Sequence, residues 1–319
     1  MLTAYPSFDN TEASSAAPAA SWIDLLSPTS EERACVETGT GFHLPSREEL
    51  SEVELSSRIA ERNGVLYLSM PIVAQLSGLD QSSSPLGFVL SKELLVTIRY
   101  APLSSFDNVA ENLSRDVGHS SSVDTFAALV DGMLEMSADQ IEQIATELDG
   151  VSRAVFSRLG KQKHVTQSND ELRRVLISIG NAGARLSRIR DGVLGLQRVV
   201  PFVAGTGQDW IPASIRVRLK TIQGDLSSLT EYETHLSDKV QFLLDAVLGF
   251  INTKQNDIFQ VLTVISIVGI PPTLVASIYG MNFKSMPELN WEWGYPYALV
   301  LIVLSAILPI LWFKWRKWV

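Results

Sequence analysis

The chain of 319 residues is long enough for a soluble domain with its own core and for a membrane anchor as well. Its formal net charge of −9 argues against a nucleic-acid-binding protein, because such a protein needs a basic surface to meet phosphate groups. The single cysteine, Cys35, has no partner for an intrachain disulfide. No nucleophile–base pair, phosphate-binding glycine loop or metal triad stands out, so we expect neither an enzyme nor a catalytic cofactor.

The N-terminal third of the chain predicts a flexible tail followed by an α/β domain. Residues 1–20 include TEASSAAPAA, which lacks both the basic segment and the apolar run of a signal peptide, and we expect a flexible tail there. SWIDLLSPTSEE then predicts a strand and a helix start joined by a turn at 27–29. Three further β-rich runs are bounded by turn signals, at 64–73, 86–90 and 94–100. We therefore assign residues 21–122 to an α/β domain.

Helical periodicity dominates the middle of the chain. Apolar residues recur at roughly helical spacing from residue 123 to 200, and Pro201 with the glycine-containing stretch 205–207 is expected to break this pattern. We assign 123–211 to a helical region. A last helix is predicted to begin near Pro212 and to continue without a strong break to Pro271, on the order of 90 Å at 1.5 Å per residue. Its first part, 212–257, is the predicted stalk helix.

Two uncharged apolar runs near the C-terminal end predict two transmembrane helices, 258–280 and 295–313. Buried core helices of a soluble protein are the alternative, but two runs of this length close together favour membrane spans. Tryptophan and tyrosine cluster at both ends of the second run, as expected at the two membrane interfaces: Trp291, Trp293, Tyr295 and Tyr297 before it, and Trp312, Trp315 and Trp318 near its end.

Charged residues beside the second run predict the orientation. The tail 314–319 carries Lys314, Arg316 and Lys317, so the positive-inside rule places it in the cytoplasm. With two spans, the large N-terminal region is then cytoplasmic too, and the linker 281–294 faces outward. We expect a multi-pass protein of the inner (plasma) membrane, with the lipid bilayer as a partner and both termini in the cytoplasm.

The first span is polar along one side. The small, polar or aromatic residues of this polar stripe alternate at spacings of four and three, within a sector of roughly 100°: Asn252, Asn256, Phe259, Thr263, Ser266, Ile270 and Thr273. The opposite side is aliphatic, with Ile258, Val261, Leu262, Ile265 and Val268. Such a stripe fits either the lining of a water-filled pore or helix packing through small residues. A pore needs more than two helices, so that interpretation requires a homo-oligomer around an axis.

The end of the first span carries a specific motif. The residues at 279–283 read YGMNF, and MPEL follows at 286–289. On these residues the chain resembles the CorA family of magnesium transporters, whose hallmark they are. The likeness continues through LNWEWGYPYALVL and FKWRKWV and covers roughly the last 65 residues, while WIDL gives a weaker likeness in the N-terminal region.

The resemblance implies a CorA-like homopentameric channel, with an α/β cytoplasmic domain, a long stalk helix and two C-terminal transmembrane helices. It would conduct divalent cations into the cytoplasm, chiefly magnesium, with cobalt or nickel as further ions. Gly280, Met281 and Asn282 form the expected selectivity motif, and Glu288 lies in the external loop. Magnesium keeps its waters and prefers oxygen ligands, which suits the neutral amide oxygen of Asn282. A ZntB-type zinc transporter and a membrane-anchored scaffold without transport are the alternatives.

Three acidic residues continue the spacing of the polar stripe into the stalk: Asp245, Asp238 and Glu231. They fit either a solvated helix face or a funnel for cations. The resemblance implies a regulatory metal role for Asp245, because the family carries an acidic residue at about this point of its stalk helix, where bound magnesium links neighbouring subunits and favours closure. Magnesium is then both the transported ion and a regulatory ligand. Lys284, next to the motif, leaves the order of ion preference open.

Overall fold

The structure, a computed structural model, describes residues 1–5, 20–52, 58–75, 81–115, 121–159, 165–282, 286–287 and 291–316. The chain divides into two compact units, Met1–Leu244 and Asp245–Val319.

The N-terminal unit contains a mixed sheet, which has six strands within the described residues: β1 Leu2–Tyr5, β2 Trp22–Leu26, β3 Ile59–Arg62, β4 Val65–Gln75, β5 Gln81–Leu90 and β6 Leu95–Arg99. Their order in the sheet is β1-β2-β6-β5-β4-β3. β2 and β6 are parallel, and the other neighbouring strands are antiparallel. A parallel pair cannot be joined by a hairpin, and here the chain leaves the sheet after β2, re-enters it at the opposite edge as β3 and returns through β4 and β5 to β6.

Helices fill most of the remaining described chain: α1 Ser30–Thr40, α2 Arg47–Leu50, α3 Ser104–Arg115, α4 Ser122–Arg153, α5 Val165–Thr206, α6 Ala213–Tyr279 and α7 Gly294–Trp315. α4 continues as a π-helical segment, Ala154–Leu159. Capping boxes at Thr29, Ser46 and Ser121 satisfy the first backbone N–H groups of α1, α2 and α4. These boxes explain why the helices begin where they do.

A buried charged network fixes the central strands of the sheet. Arg99 donates from Nη2 to Asp24 Oδ2 at 2.9 Å, which joins the parallel strands β2 and β6. Thr97 donates its hydroxyl to Asp24 Oδ1 at 2.7 Å, and Trp22 Nε1 donates to Thr97 Oγ1 at 3.0 Å. All four side chains are buried. Buried charges are tolerated only when they are paired and hydrogen-bonded, so this network holds one register of the two strands.

The helices α5 and α6 run antiparallel within the N-terminal unit, because Gln197 contacts Thr230 while the earlier residue Arg190 contacts the later residue Glu233. Buried residues of α6 recur at spacings of four and three, which we call the buried stripe: Ile215, Leu219, Ile222, Leu226, Leu229, Glu233, Leu236 and Leu243. α5 has a matching series, which includes Ile179, Leu186, Ile189, Val193 and Leu196. This spacing is that of coiled-coil packing.

Two sequence expectations for the N-terminal unit are wrong in part. Leu2–Tyr5 is not a flexible tail but the edge strand β1, paired with β2, and Tyr5 stacks on Trp22 with ring centroids 4.7 Å apart. The rest of that expected tail, 6–19, lies outside the described residues. Pro201 does not break the helix, because α5 continues to Thr206. Its exposed ring meets solvent, while the packing of the buried neighbours Val200 and Val203 keeps the helix intact.

The C-terminal unit contains the end of α6 and all of α7, which are the two helices among the described residues that are long and apolar enough to cross a membrane. Their most apolar stretches are almost entirely exposed, which is the reverse of what core helices of a soluble protein require. Pro271 and Pro272 lie inside α6, and Pro309 lies inside α7. Trp293 and Tyr295 at one end of α7 and Trp315 at the other are exposed, as interfacial aromatic residues need to be.

We predict that Arg99→Leu destabilises the chain by about 3–5 kcal/mol, since it leaves the Asp24 carboxylate buried without a countercharge. The measurement is the denaturant-induced unfolding of the N-terminal unit, followed by tryptophan fluorescence of the purified chain. Arg173→Leu, which removes an exposed arginine from α5, is the matched control and should change little. Equal stability of the two variants would contradict the structural role of the network.

Candidate ion pathway

All seven residues of the polar stripe lie on α6. Six of them are exposed within the chain and Ser266 is half-buried. Two threonine hydroxyls donate back to the helix: Thr263 Oγ1 to Phe259 O at 2.7 Å, and Thr273 Oγ1 to Gly269 O at 2.6 Å. Since the hydrogen of each hydroxyl is used within the helix, the oxygen can act toward other groups only as an acceptor, through its lone pairs.

Acceptor oxygens suit a hydrated metal ion. The waters around a divalent cation point their hydrogens outward, so the groups that line its path need to accept hydrogen bonds. The stripe offers the amide oxygens of Asn252 and Asn256 as well as the hydroxyls. Carboxylates do not interrupt the stripe between Asn252 and Thr273, so a hydrated ion would meet neutral oxygens that hold it weakly.

Burial within one chain does not distinguish the polar stripe from the aliphatic side. Phe259 on the stripe and Ile265 on the opposite side are both 64% exposed. The two sides therefore differ in chemistry and not in the contacts that one chain makes. Both sides are thus open to water, to lipid or to other helices in an assembly.

The predicted selectivity motif lies where α6 ends. The helix stops at Tyr279, Gly280 forms a turn, and Met281 and Asn282 follow in non-helical conformation and exposed. Gly280 donates its N–H to Ala276 O at 3.0 Å. A Cβ on Gly280 would come within 3.2 Å of the same carbonyl oxygen, so glycine permits this tight end of the helix. Glu288 and Lys284, which the sequence places in the loop beyond, lie outside the described residues.

Asp245, Asp238 and Glu231 are exposed on α6. The same heptad positions continue upstream through Gly224 to Val217, and all of them are exposed. We call the full series, from Val217 to Thr273, the exposed stripe. It is displaced by two residues from the buried stripe, which amounts to about 200° around the helix. Within the N-terminal unit, the structure thus places Asp238 and Glu231 on the side of α6 that faces away from α5.

The sequence analysis did not identify Glu233, which the packing of α5 on α6 buries. Glu233 belongs to the buried stripe and is buried beside Arg190 of α5. The apolar heptad that surrounds it, from Ile215 to Leu243, is visible in the sequence, and an acidic residue inside such a series is the signal that was available.

Comparison with known proteins gives a consistent result over nearly the whole chain. The family model described as "CorA-like Mg2+ transporter protein" matches residues 19–315. The Magnesium transport protein CorA of Escherichia coli (strain K12) is 31% identical over 298 residues, which cover 93% of this chain and 91% of that protein. The corresponding protein of Salmonella typhimurium is also 31% identical over 298 residues, with the same coverage.

Among solved structures, the complete CorA magnesium transporter from Methanocaldococcus jannaschii is similar with a TM-score of 0.75. It is 17% identical, and the match covers 93% of this chain and 91% of that one, so it supports the fold. The α/β domain, the long helix and the two apolar helices expected from the sequence are therefore confirmed as the fold. Since both the family model and the Escherichia coli relative span nearly all of it, the chain belongs to the CorA-like Mg²⁺ transporter family.

Proposed function

We propose that this chain is one subunit of a homo-oligomeric channel, pentameric as the resemblance implies, that conducts divalent cations and chiefly magnesium. The observation that carries the proposal is the exposed stripe of α6, together with Gly280, Met281 and Asn282, which follow the end of that helix. The printed name of the Escherichia coli relative, a magnesium transport protein, supports magnesium as the principal ion.

The two stripes of α6 support assembly around an axis. One helix cannot enclose a path for an ion, so copies of the same stripe must face one another. The buried stripe is already occupied by packing within the chain, while the exposed stripe on the opposite side is uncovered. In a ring of subunits the exposed stripes meet at the axis, and the aliphatic side of the span, including Leu262 and Ile265, faces lipid or the second apolar helix.

Asn282 is the proposed selectivity residue. It follows the C-terminal end of α6, where the helix dipole places partial negative charge that favours a cation. Its amide oxygen is neutral and accepts hydrogen bonds from the waters of a hydrated ion. A ring of such oxygens orients magnesium without stripping its waters, which the ion gives up reluctantly.

Other ions, the alternative function and the orientation also belong to this proposal. Cobalt and nickel also accept a six-coordinate oxygen environment, although they bind other ligands as well, and are proposed as further ions.

A ZntB-type zinc transporter is the alternative, and the similarity to the ZntB cytoplasmic domain from Vibrio parahaemolyticus, with a TM-score of 0.51 and 11% identity, concerns the fold alone. Lys314 and Arg316 at the end of α7 support an inner-membrane protein with both termini in the cytoplasm.

We assign a regulatory role to Asp245. Carboxylates that are brought near one axis repel one another, and a bound divalent cation removes this repulsion. Magnesium bound at Asp245 would therefore stabilise a closed arrangement, and the ion would limit its own entry through its different affinities for closed and open states. Asp238 and Glu231 lie on the same exposed stripe and would draw cations toward the path.

Asn282→Ala should abolish or strongly reduce magnesium uptake into liposomes, because it removes the amide oxygen at the end of the pathway. The oligomer size measured by size-exclusion chromatography and the extent of membrane insertion should match those of the unmodified protein. Asn112→Ala, at an exposed position of α3, is the matched control and should conduct normally. Undiminished flux through a correctly assembled Asn282→Ala protein would rule out Asn282 as the selectivity residue.

Asp245→Ala should reduce the protection that magnesium gives the stalk against limited proteolysis, and should make the flux less sensitive to internal magnesium. Asp225→Ala is the matched control, since Asp225 is exposed on the same helix but lies off the exposed stripe. If both variants retain the protection of the unmodified protein, Asp245 lies on a solvated face without regulatory function.

A further inference from the structure

Glu233 is a charged residue at a position that packing normally gives to leucine. It is 2% exposed and belongs to the buried stripe of α6, between Leu229 and Leu236, which are also buried. Across the interface, the α5 residues Ile189 and Val193, next to Arg190 in the antiparallel register, are buried as well. A carboxylate in such surroundings loses its hydration and needs strong partners in exchange.

The ion pair between Glu233 and Arg190 is weak. Arg190 Nε lies 3.7 Å from Glu233 Oε2, and this carboxylate oxygen accepts no hydrogen bond within the described structure. The Arg190 side chain is 50% exposed and so retains much of its own hydration. An ion pair of this length, with a half-exposed arginine, does not offset the free-energy cost of desolvating a buried carboxylate.

The other ion pairs of these helices are shorter and more exposed. Arg218 contacts Asp131 at 2.5 Å, Arg185 contacts Glu147 at 3.0 Å and Lys239 contacts Asp149 at 2.6 Å. Each joins α4 to α5 or α6, and none of these three acidic residues is buried. They join the three helices, and their carboxylates are desolvated less than that of Glu233 because they are not buried.

Few charges act on Glu233. On α5 the acting group is Arg190. On α4, the carboxylates of Glu147 and Asp149 form ion pairs with Arg185 and Lys239. On α6 itself, the residues one turn away are uncharged: Leu229, Thr230, Leu236 and Ser237. Burial raises the pKa of Glu233, and the nearby Arg190 guanidinium lowers it by less.

The raised pKa of Glu233 determines how the stability of the contact between α5 and α6 changes with pH. Because the pKa of Glu233 is higher in the folded protein than in the unfolded chain, packing of α5 on α6 binds a proton. The contact is therefore most stable below the usual carboxyl range and weakens as the pH rises through the raised pKa. Above the raised pKa, separation of the two helices at this point lets water reach the carboxylate and relieves its desolvation.

We propose that Glu233 is a positioning residue for α6, whose contact with Arg190 is the point at which α5 and α6 separate most readily. Since α6 continues into the span that carries the polar stripe, loosening at Glu233 frees the stalk to move when the channel changes state. This second step rests on the proposed channel function, whereas the local weakness of the helix pair does not.

The test is hydrogen–deuterium exchange of the full chain in detergent, followed over residues 226–240 at about pH 8 and at about pH 4, below the usual glutamate pKa. Glu233→Gln keeps the shape of the side chain and Glu233→Leu completes the apolar series. Both should slow exchange about tenfold relative to the unmodified protein at the higher pH, and the difference should largely disappear at the lower pH. Arg190→Gln should accelerate exchange at the higher pH, because it removes the countercharge.

Asp225→Asn serves as the control, since it removes an exposed carboxylate from the same helix and should leave exchange unchanged. Exchange that is identical in the Glu233 variants and the unmodified protein, or slowed equally at both pH values, would overturn the proposal. Magnesium flux is measured on the same preparations, and Glu233→Leu should conduct more slowly. Unchanged flux in a variant with slowed exchange would overturn the link to channel movement, while absence of flux in the unmodified protein would instead contradict the proposed function.

Discussion

The helix α6 must satisfy two different surroundings at once, and much of the remaining structure follows from that constraint. It runs unbroken from Ala213 to Tyr279 and carries two heptad series displaced by two residues. One series is apolar and packs within the chain, while the other is polar and exposed. Because both follow the same alternation of three and four, they stay on opposite sides of the helix as far as Leu243, where the buried stripe ends. The helix can thus be held on one side while the other side stays available.

The constraint explains why the sequence is polar in places where a membrane helix is usually apolar. Thr263, Ser266 and Thr273 lie within the predicted span, on the polar stripe and not on the aliphatic side. Polar residues inside apolar spans are expensive unless they face water or a partner. The family to which the chain belongs transports magnesium, and a stripe of acceptor oxygens with Asn282 beyond its end is suited to an ion that keeps its waters.

Much of the fold can be predicted from the sequence because its signals are local. The capping box at Thr29, the alternating strands and the uncharged spans each depend on a few neighbouring residues. What escapes prediction depends on distant partners. β1 has only four residues and exists because β2 offers its edge, and Pro201 stays helical because the residues around it pack. Glu233 resembles the exposed acidic residues near it until the pairing of α5 with α6 buries it.

The most direct test of the two-sided helix is cysteine labelling in a background where Cys35 is replaced by serine. Cysteines at Thr263, Ser266 and Thr273 sample the polar stripe, and cysteines at Leu262 and Ile265 sample the aliphatic side. In the assembled protein in a lipid bilayer, a water-soluble thiol reagent should modify the first group rapidly and the second group poorly. Equal labelling of the two sides would show that the stripe is a packing surface and would contradict a water-filled path along α6.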